Sequence, residues 1–337
     1  MRGLWRRRPV RRAVIGLLPL LVVSGALAAV LAARFSATAA PVRDATALAT
    51  GTVQRSGLVP DGRGVELRWT DGSGTERTSR VVAERAGTVP TGSRVEIRYQ
   101  PSDPSRVFVS GDETSARLRD LAFFLGVTVL VPAVALIMLL LHVARRLSAE
   151  RRPGTTLSVG YARLQRGLAH RSWLVVEDQG KQWWVPVHWD PVLPRLARET
   201  SAIAHGLPSR HAVIAVEVID TMIWQAAGRR RATPPRGEIW RAEPGQPATG
   251  RRRRRGDGTA APPGAETPRT PPARADSDRA GLVWQFRADA ALLIAAPLLG
   301  LLWSYLSDGG LASWAGATLL AAAVLFWWPT MLGSDPS

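Results

Sequence analysis

Cysteine is absent from this chain of 337 residues, so disulfides, thiolate nucleophiles, iron–sulfur clusters and Cys-based zinc sites are all excluded. Any segment that folds outside a cell does so without covalent staples. Asparagine is absent as well, and Lys181 is the only lysine among 44 basic side chains. Such a bias follows more simply from a GC-rich genome than from guanidinium chemistry, so the net charge of +17 is weak support for nucleic-acid binding. Signatures of chemistry are missing too. There is no P-loop, no dinucleotide fingerprint, no HExxH and no G-x-S-x-G, since Gly72-Ser73-Gly74 falls in a predicted hairpin turn. No catalytic residue, metal or cofactor is assigned.

What the chain does have is long apolar runs between arginine-rich stretches. Residues 13–33 and 121–144 contain no Asp, Glu, Lys or Arg. At about 1.5 Å per helical residue, each is long enough to cross a hydrocarbon core of about 30 Å. Residues 290–306 and 311–332 are two further apolar runs, split only by Ser307, Asp308, Gly309 and Gly310, which predicts a helical hairpin. Trp303 and Trp314 flank its turn, and Trp284, Trp327 and Trp328 lie near the other ends, where indole rings favour the membrane interface. The reading is a multi-pass α-helical membrane protein with four transmembrane helices. Ala37-Thr38-Ala39 has the form of a signal-peptide cleavage site, but the first run exceeds the usual apolar core of about 7–15 residues and is read as a retained anchor.

Orientation follows from arginines near the spans, because cytoplasmic flanks carry the excess. Six of the first twelve residues are Arg, and Arg145, Arg146, Arg151 and Arg152 crowd the exit of the second run. Only Arg34, Arg43, Arg117 and Arg119 lie close to the spans on the other side, and the hairpin turn has no basic residue. Residues 1–12, the segment from 145 to the hairpin and the tail 333–337 are therefore expected in the cytoplasm of a bacterial cell with this chain in its inner membrane. Residues 34–120 are expected outside.

Within that outer segment, residues 46–111 alternate with period two. Val65, Leu67 and Trp69 interleave with Glu66, Arg68 and Thr70, and Val95, Ile97 and Tyr99 with Arg94, Glu96, Arg98 and Gln100. Asp61-Gly62, Asp71-Gly72 and Thr91-Gly92 mark turns between the runs. A small antiparallel sheet curled into a barrel of about five strands is predicted. Three motifs stand here: Gly51-Thr52-Val53; Trp69, Asp71 and Gly74 as aromatic-x-D-x-x-G; and Gly92, Val95, Ile97, Tyr99, Pro101 and Pro104 as GxxVxVxYxPxxP. Together they resemble an uncharacterised bacterial membrane-protein family, a domain of unknown function lodged between transmembrane helices. Gln100 stands where an Asp is common in that family. The resemblance implies a membrane-associated β module and no known chemistry.

The cytoplasmic segment 145–243 holds a second mainly-β module at about 155–242, barrel- or sandwich-like. Trp173 to Val176 and Ala212 to Ile219 are strand candidates, Gln179-Gly180 marks a turn, and Trp183, Val185, Val187 and Trp189 share one strand face. Leu193 to Ala204 predicts a short helix stopped by Gly206. Residues 244–280 are rich in Pro, Gly, Ala, Thr and Arg and are expected to form a disordered linker, since they cannot bury enough apolar surface to fold. Arg251, Arg252, Arg253, Arg254 and Arg255 are candidate contacts for anionic lipid headgroups, at about 1 kcal/mol per basic residue near an anionic leaflet, beside the plainer reading of a solvated charge run. No aromatic residue interleaves with them, which argues against nucleic acid.

His188, Trp189 and Asp190, with His170, His205 and His211, are the one cluster that invites catalysis or metal binding. Asp190 would orient His188 from the same strand face, yet it precedes Pro191 and starts a turn, so a structural role is expected. His142 is the only ionisable side chain, tyrosine aside, in the four apolar runs, so no transport path is read. Ser313, Ala317 and Ala321, with Ala312 and Gly316, give small-x-x-x-small spacings for close packing within the chain. The expected function is non-enzymatic binding or scaffolding that links envelope and cytoplasm. The alternative is an accessory subunit of a transporter or envelope enzyme complex, and the third reading is an enzyme of unrecognised type. Expected partners are the lipid bilayer and proteins of unknown identity, with the oligomeric state open.

Overall fold

The computed structural model describes residues 7–87, 89–166, 169–196, 199–236, 238–241, 290–307 and 310–333. The expected linker 244–280 with Arg251–Arg255, together with Trp284 and residues 334–337, lies outside the described residues. The chain divides into two compact units, Ser24–Ala133 and the remainder.

Helix α1 spans Arg8–Asp44 and α2 spans Glu113–Glu150, and both continue well past the apolar runs inside them. Helix α4, Leu311–Leu332, is the third that is long and apolar enough to cross a membrane. The run at 290–306 is different. It opens as a 3-10 turn, Ala290–Ala295, and only then becomes an α-helix, α3, of 11 residues at Ala296–Leu306. Pro297 lacks an N–H and has a fixed φ, so regular α-helix begins around it and leaves too few residues for a span. The expectation of four spans is thereby corrected to at most three. The close approach in the α3–α4 hairpin centres on Gly300 of α3, where a Cβ would lie 2.9 Å from the carbonyl oxygen of Trp314.

In the unit Ser24–Ala133 five antiparallel strands form the first module: β1 Ala47–Ser56, β2 Gly64–Thr70, β3 Glu76–Val82, β4 Arg94–Gln100 and β5 Asp103–Val109, in the order β3-β2-β1-β4-β5. The sheet curls until its outer edges meet, where Ala83 bridges Asp112 and the Glu84 N–H donates to the Gly111 carbonyl at 2.8 Å. Alternate residues point inward, so Val53, Val65, Leu67, Trp69, Ile97 and Tyr99 form the core. The barrel-like sheet expected here is present.

In the other unit the second module comprises β6 Gly154–Arg166, β7 Ala169–Asp178, β8 Lys181–Val187, β9 Thr200–His205, β10 Ala215–Val218 and β11 Thr221–Trp224, in the order β11-β10-β9-β6-β7-β8. Its edges also meet. Val187 bridges Gln225, the His188 N–H donates to the Trp224 carbonyl at 3.0 Å, and the Ala226 N–H donates to the Pro186 carbonyl at 2.9 Å. A short β12, Glu238–Arg241, branches from β6. Leu174, Val176, Val185 and Val187 face the interior, while Trp173 and Trp184 pack outside with Leu164 and Ile239. Both faces of β8 are therefore apolar over Trp184–Val187. Gln179 and Gly180 have φ of 53° and 70°, the left-handed pair that a two-residue hairpin between Asp178 and Lys181 requires.

The helix expected at Leu193–Ala204 is not formed. A single 3-10 turn at Leu193–Arg195 precedes β9, which lies between β6 and β10. Ala202 and Ala204 are buried and Ser201 and Ile203 exposed, so pairing on both edges overrides the helix propensity of alanine.

Candidate functional site

The motif residues of the first module build turns and core. Asp71 Oδ1 accepts from the N–H groups of Ser73 and Thr75 at 2.9 and 3.0 Å and from the Ser73 hydroxyl at 2.5 Å, and Oδ2 accepts from Arg77 Nε at 2.7 Å. The Ser73 hydroxyl, the Arg77 guanidinium and these N–H groups hold the carboxyl well below the usual carboxylate range. Gly74, at φ 83°, supplies the left-handed residue of this turn. The Gly72 N–H donates to the Tyr99 hydroxyl at 2.8 Å, and the Trp69 and Tyr99 rings lie 4.7 Å apart. Gly51 leaves the space filled by Ile97, and Thr52 pairs with Arg68 and Arg94. Gly92 has φ 86°, Val95 pairs with Gly51 and packs on the core, and Pro101 lies in the two-residue link between Gln100 and Asp103. Pro104, without an N–H, falls on β5 at the end of the strand order.

A more concentrated polar arrangement lies in the other unit. His142, Arg146 and Glu150 recur every four residues, which puts them on one stripe of α2. His142 Nε2 is 3.1 Å from His188 Nε2, with the rings edge to face and both side chains buried. One imidazole gives the N–H and the other its lone pair. Arg146, 5% exposed, donates from Nε to the Gln225 carbonyl at 2.7 Å and from Nη1 to the His142 carbonyl at 3.0 Å. Gln225 in turn accepts from the Ile214 N–H at 3.0 Å and donates to the Ala212 carbonyl at 3.2 Å. One guanidinium thus ties helix main chain to barrel main chain.

The other helices end on the same barrel. The Ala227 N–H donates to the Met331 carbonyl at 3.0 Å in the last turn of α4. Thr330, fully buried, sits against Gly16 of α1, where a Cβ would lie 2.6 Å from its Cγ2. Glu150 accepts from Trp224 Nε1 and pairs with Arg7 at 2.6 Å, while Arg7 covers the Trp224 ring at 5.4 Å. Val10, Ala149, Ala215 and Trp224 close an apolar cluster beside these charges. Burial, and then the neighbouring charges of His142, Arg146 and Arg12, push the His188 imidazole well below its ordinary pKa and keep it neutral. Its Nδ1 is buried with no partner among the described residues.

His170, His188, His205 and His211 do not gather into one site. Asp190 Oδ1 accepts from the Val192 N–H at 3.0 Å, so Asp190 caps its own turn and does not orient His188. His170 Nδ1 is 3.0 Å from Arg163 Nη2, His205 Nδ1 donates to the Arg152 carbonyl at 3.0 Å, and His211 Nδ1 accepts from the Leu207 N–H at 3.0 Å. Among the described residues no three His, Asp or Glu side chains come together as a metal-ligand set. The partner of His188 is His142; the four-residue spacing of His142, Arg146 and Glu150 marks a polar stripe on α2 but does not name His188. Comparison with family models, curated proteins and solved structures finds no match.

Proposed function

We propose that the chain is a multi-pass protein of the bacterial inner membrane that binds or scaffolds partners without catalysing a reaction, linking envelope and cytoplasm. Its second module belongs to the cytoplasm with the N-terminus, its first module to the envelope side, and its first-module motifs to the uncharacterised family they resemble. The observation that carries this reading is the buried seam of His142, His188, Arg146 and Gln225. Helices α2 and α4 are hydrogen-bonded to the main chain of one barrel and α1 packs on it through Val10, so this module is held to the helices and does not swing on a tether. A rigid joint of this kind suits a link.

A chain without cysteine makes the test direct. Ser102→Cys in the first module and Ser201→Cys in the second each place the only thiol at an exposed position. An impermeant maleimide should label Ser102→Cys in intact spheroplasts and spare Ser201→Cys until lysis. Equal labelling or equal protection overturns the orientation. Crosslinking from each thiol should capture a distinct partner, and capture of none from either overturns the scaffold reading.

A further inference from the structure

Beside the seam, a cavity of about 410 Å³ opens between the start of α1 and the second module. That volume lies in the ordinary range for a small-ligand site. Its lining carries both signs of charge. Arg7 and Arg8 come from α1, Asp190 from the turn after β8, and Asp220 from the β10–β11 hairpin, with Met222 and Trp224 as apolar walls. Arg7 is held by Glu150 on one side and by the Trp224 ring beneath it. A lining that brings guanidinium and carboxylate groups to one cavity suits a ligand that carries an anion and a cation a few bonds apart.

The hairpin at the rim adds a second observation. Its two turn residues, Ile219 and Asp220, have φ of 47° and 58°. Asp tolerates this left-handed region, whereas a β-branched Ile there is an outlier that stores strain. The Ile219 side chain is 64% exposed. An exposed isoleucine on a strained tip is poorly suited to water and well suited to a lipid interface. Arg7 lies just before the start of α1 and about 9 Å ahead of Ala13, where the apolar run opens, close to the interfacial layer that borders a hydrocarbon core.

We propose that this cavity binds the phosphoethanolamine group of phosphatidylethanolamine in the adjacent leaflet, with the phosphate at Arg7 and Arg8 and the ammonium at Asp190 and Asp220. A primary ammonium offers three hydrogen-bond donors to the two carboxylates. Choline offers none, and the aromatic face it would need on Trp224 is already covered by Arg7. Phosphatidylglycerol has no cation for the carboxylates. The membrane reading above enters only through the source of the ligand.

The test is native mass spectrometry of the full chain in detergent, titrated with phosphatidylethanolamine, phosphatidylcholine and phosphatidylglycerol. Phosphatidylethanolamine should be retained roughly tenfold better than either competitor, the factor expected for one charge-assisted contact. Asp190→Asn keeps the Oδ1 that caps Val192, and Asp220→Asn keeps a residue that tolerates its φ, so both variants fold and together remove the preference. Equal retention of the three lipids, or a preference unchanged in the double variant, overturns the site. Excess O-phosphoethanolamine, which has no acyl chains, should displace the lipid. If it binds while no lipid is retained, the lipid source is wrong. A chain recovered in the soluble fraction of cells defeats the membrane reading separately, and O-phosphoethanolamine binding then still judges the cavity.

Discussion

Replacing Gly333 with alanine tests whether the end of α4 is seated on the second module, and two unfavourable effects add. Gly333 has φ of 71°, a conformation that costs an L-residue about 1 kcal/mol. Its Cβ would also lie 2.7 Å from Ala226 Cβ, 2.9 Å from the Val187 carbonyl oxygen and 3.2 Å from His188 Cα. Main-chain atoms in a closed barrel cannot retreat as the tip of a side chain can, and overpacking of this kind costs about 1–3 kcal/mol. Gly180→Ala is the control. Its φ is 70° and nothing lies within 4 Å of the added Cβ, so it carries the conformational effect alone. The two variants should therefore differ by about 1–3 kcal/mol, which for a body of this size corresponds to roughly 2–12 °C in Tm. Tryptophan fluorescence during thermal unfolding of the full chain in detergent reads that difference, with Gly333→Ala lower. Equal Tm values would refute the seating of α4 on β8, because no other difference between the two glycines offsets the clash.

The seam also predicts a pH dependence. His188 is depressed below its unfolded pKa of about 6.5, so the unfolded chain binds the extra proton, and stability is fully present above about pH 6.5 and falls on acidification at up to about 1.4 kcal/mol per pH unit. Comparing Tm at pH 7.5 and 5.5 should show that loss, and His188→Gln should flatten the slope; an unchanged slope sinks the assignment. Glu150→Ala leaves the buried Trp224 N–H without its acceptor and releases Arg7, which should cost about 1–3 kcal/mol by the same unfolding assay. In the first module, Asp71→Ala should lower Tm more than Asp71→Asn, which keeps an oxygen for the Ser73 and Thr75 N–H groups and loses only the Arg77 ion pair. The wild-type contribution of Asp71 should be present above about pH 4 and vanish as pH falls further, because its folded pKa is depressed.

What was legible in the sequence was local. Val65, Leu67 and Trp69 announced a strand because every second residue is apolar, and Gly92 announced a turn because only glycine takes a φ of 86° without strain. The ends of α1 and α2 were not legible from hydropathy, because a helix needs no apolar residue to continue. Residues 34–44 extend α1 although Arg34, Ser36, Thr38, Arg43 and Asp44 break the apolar run. Strand β9 was hidden for the opposite reason. Alanine and serine fit helix and strand alike, and neighbours on both edges decided between them.

The seam was hidden because its partners are 46 and 79 residues apart in sequence, and neither end shows a pattern that names the other. They meet only because the barrel closes with Val187 opposite Gln225, which sets His188 and the Gln225 carbonyl side by side facing α2. Side chains on a strand alternate, so a slip of one residue at that closure would turn His188 away from His142 and move the carbonyl that Arg146 needs. The helix contributes its polar stripe in advance, since the spacing of His142, Arg146 and Glu150 is fixed by the helical repeat alone. The joint between apolar helices and barrel is therefore conditional on barrel register: the stripe on α2 can form first, and it acquires its partners only when the last edge of the second module has found its place.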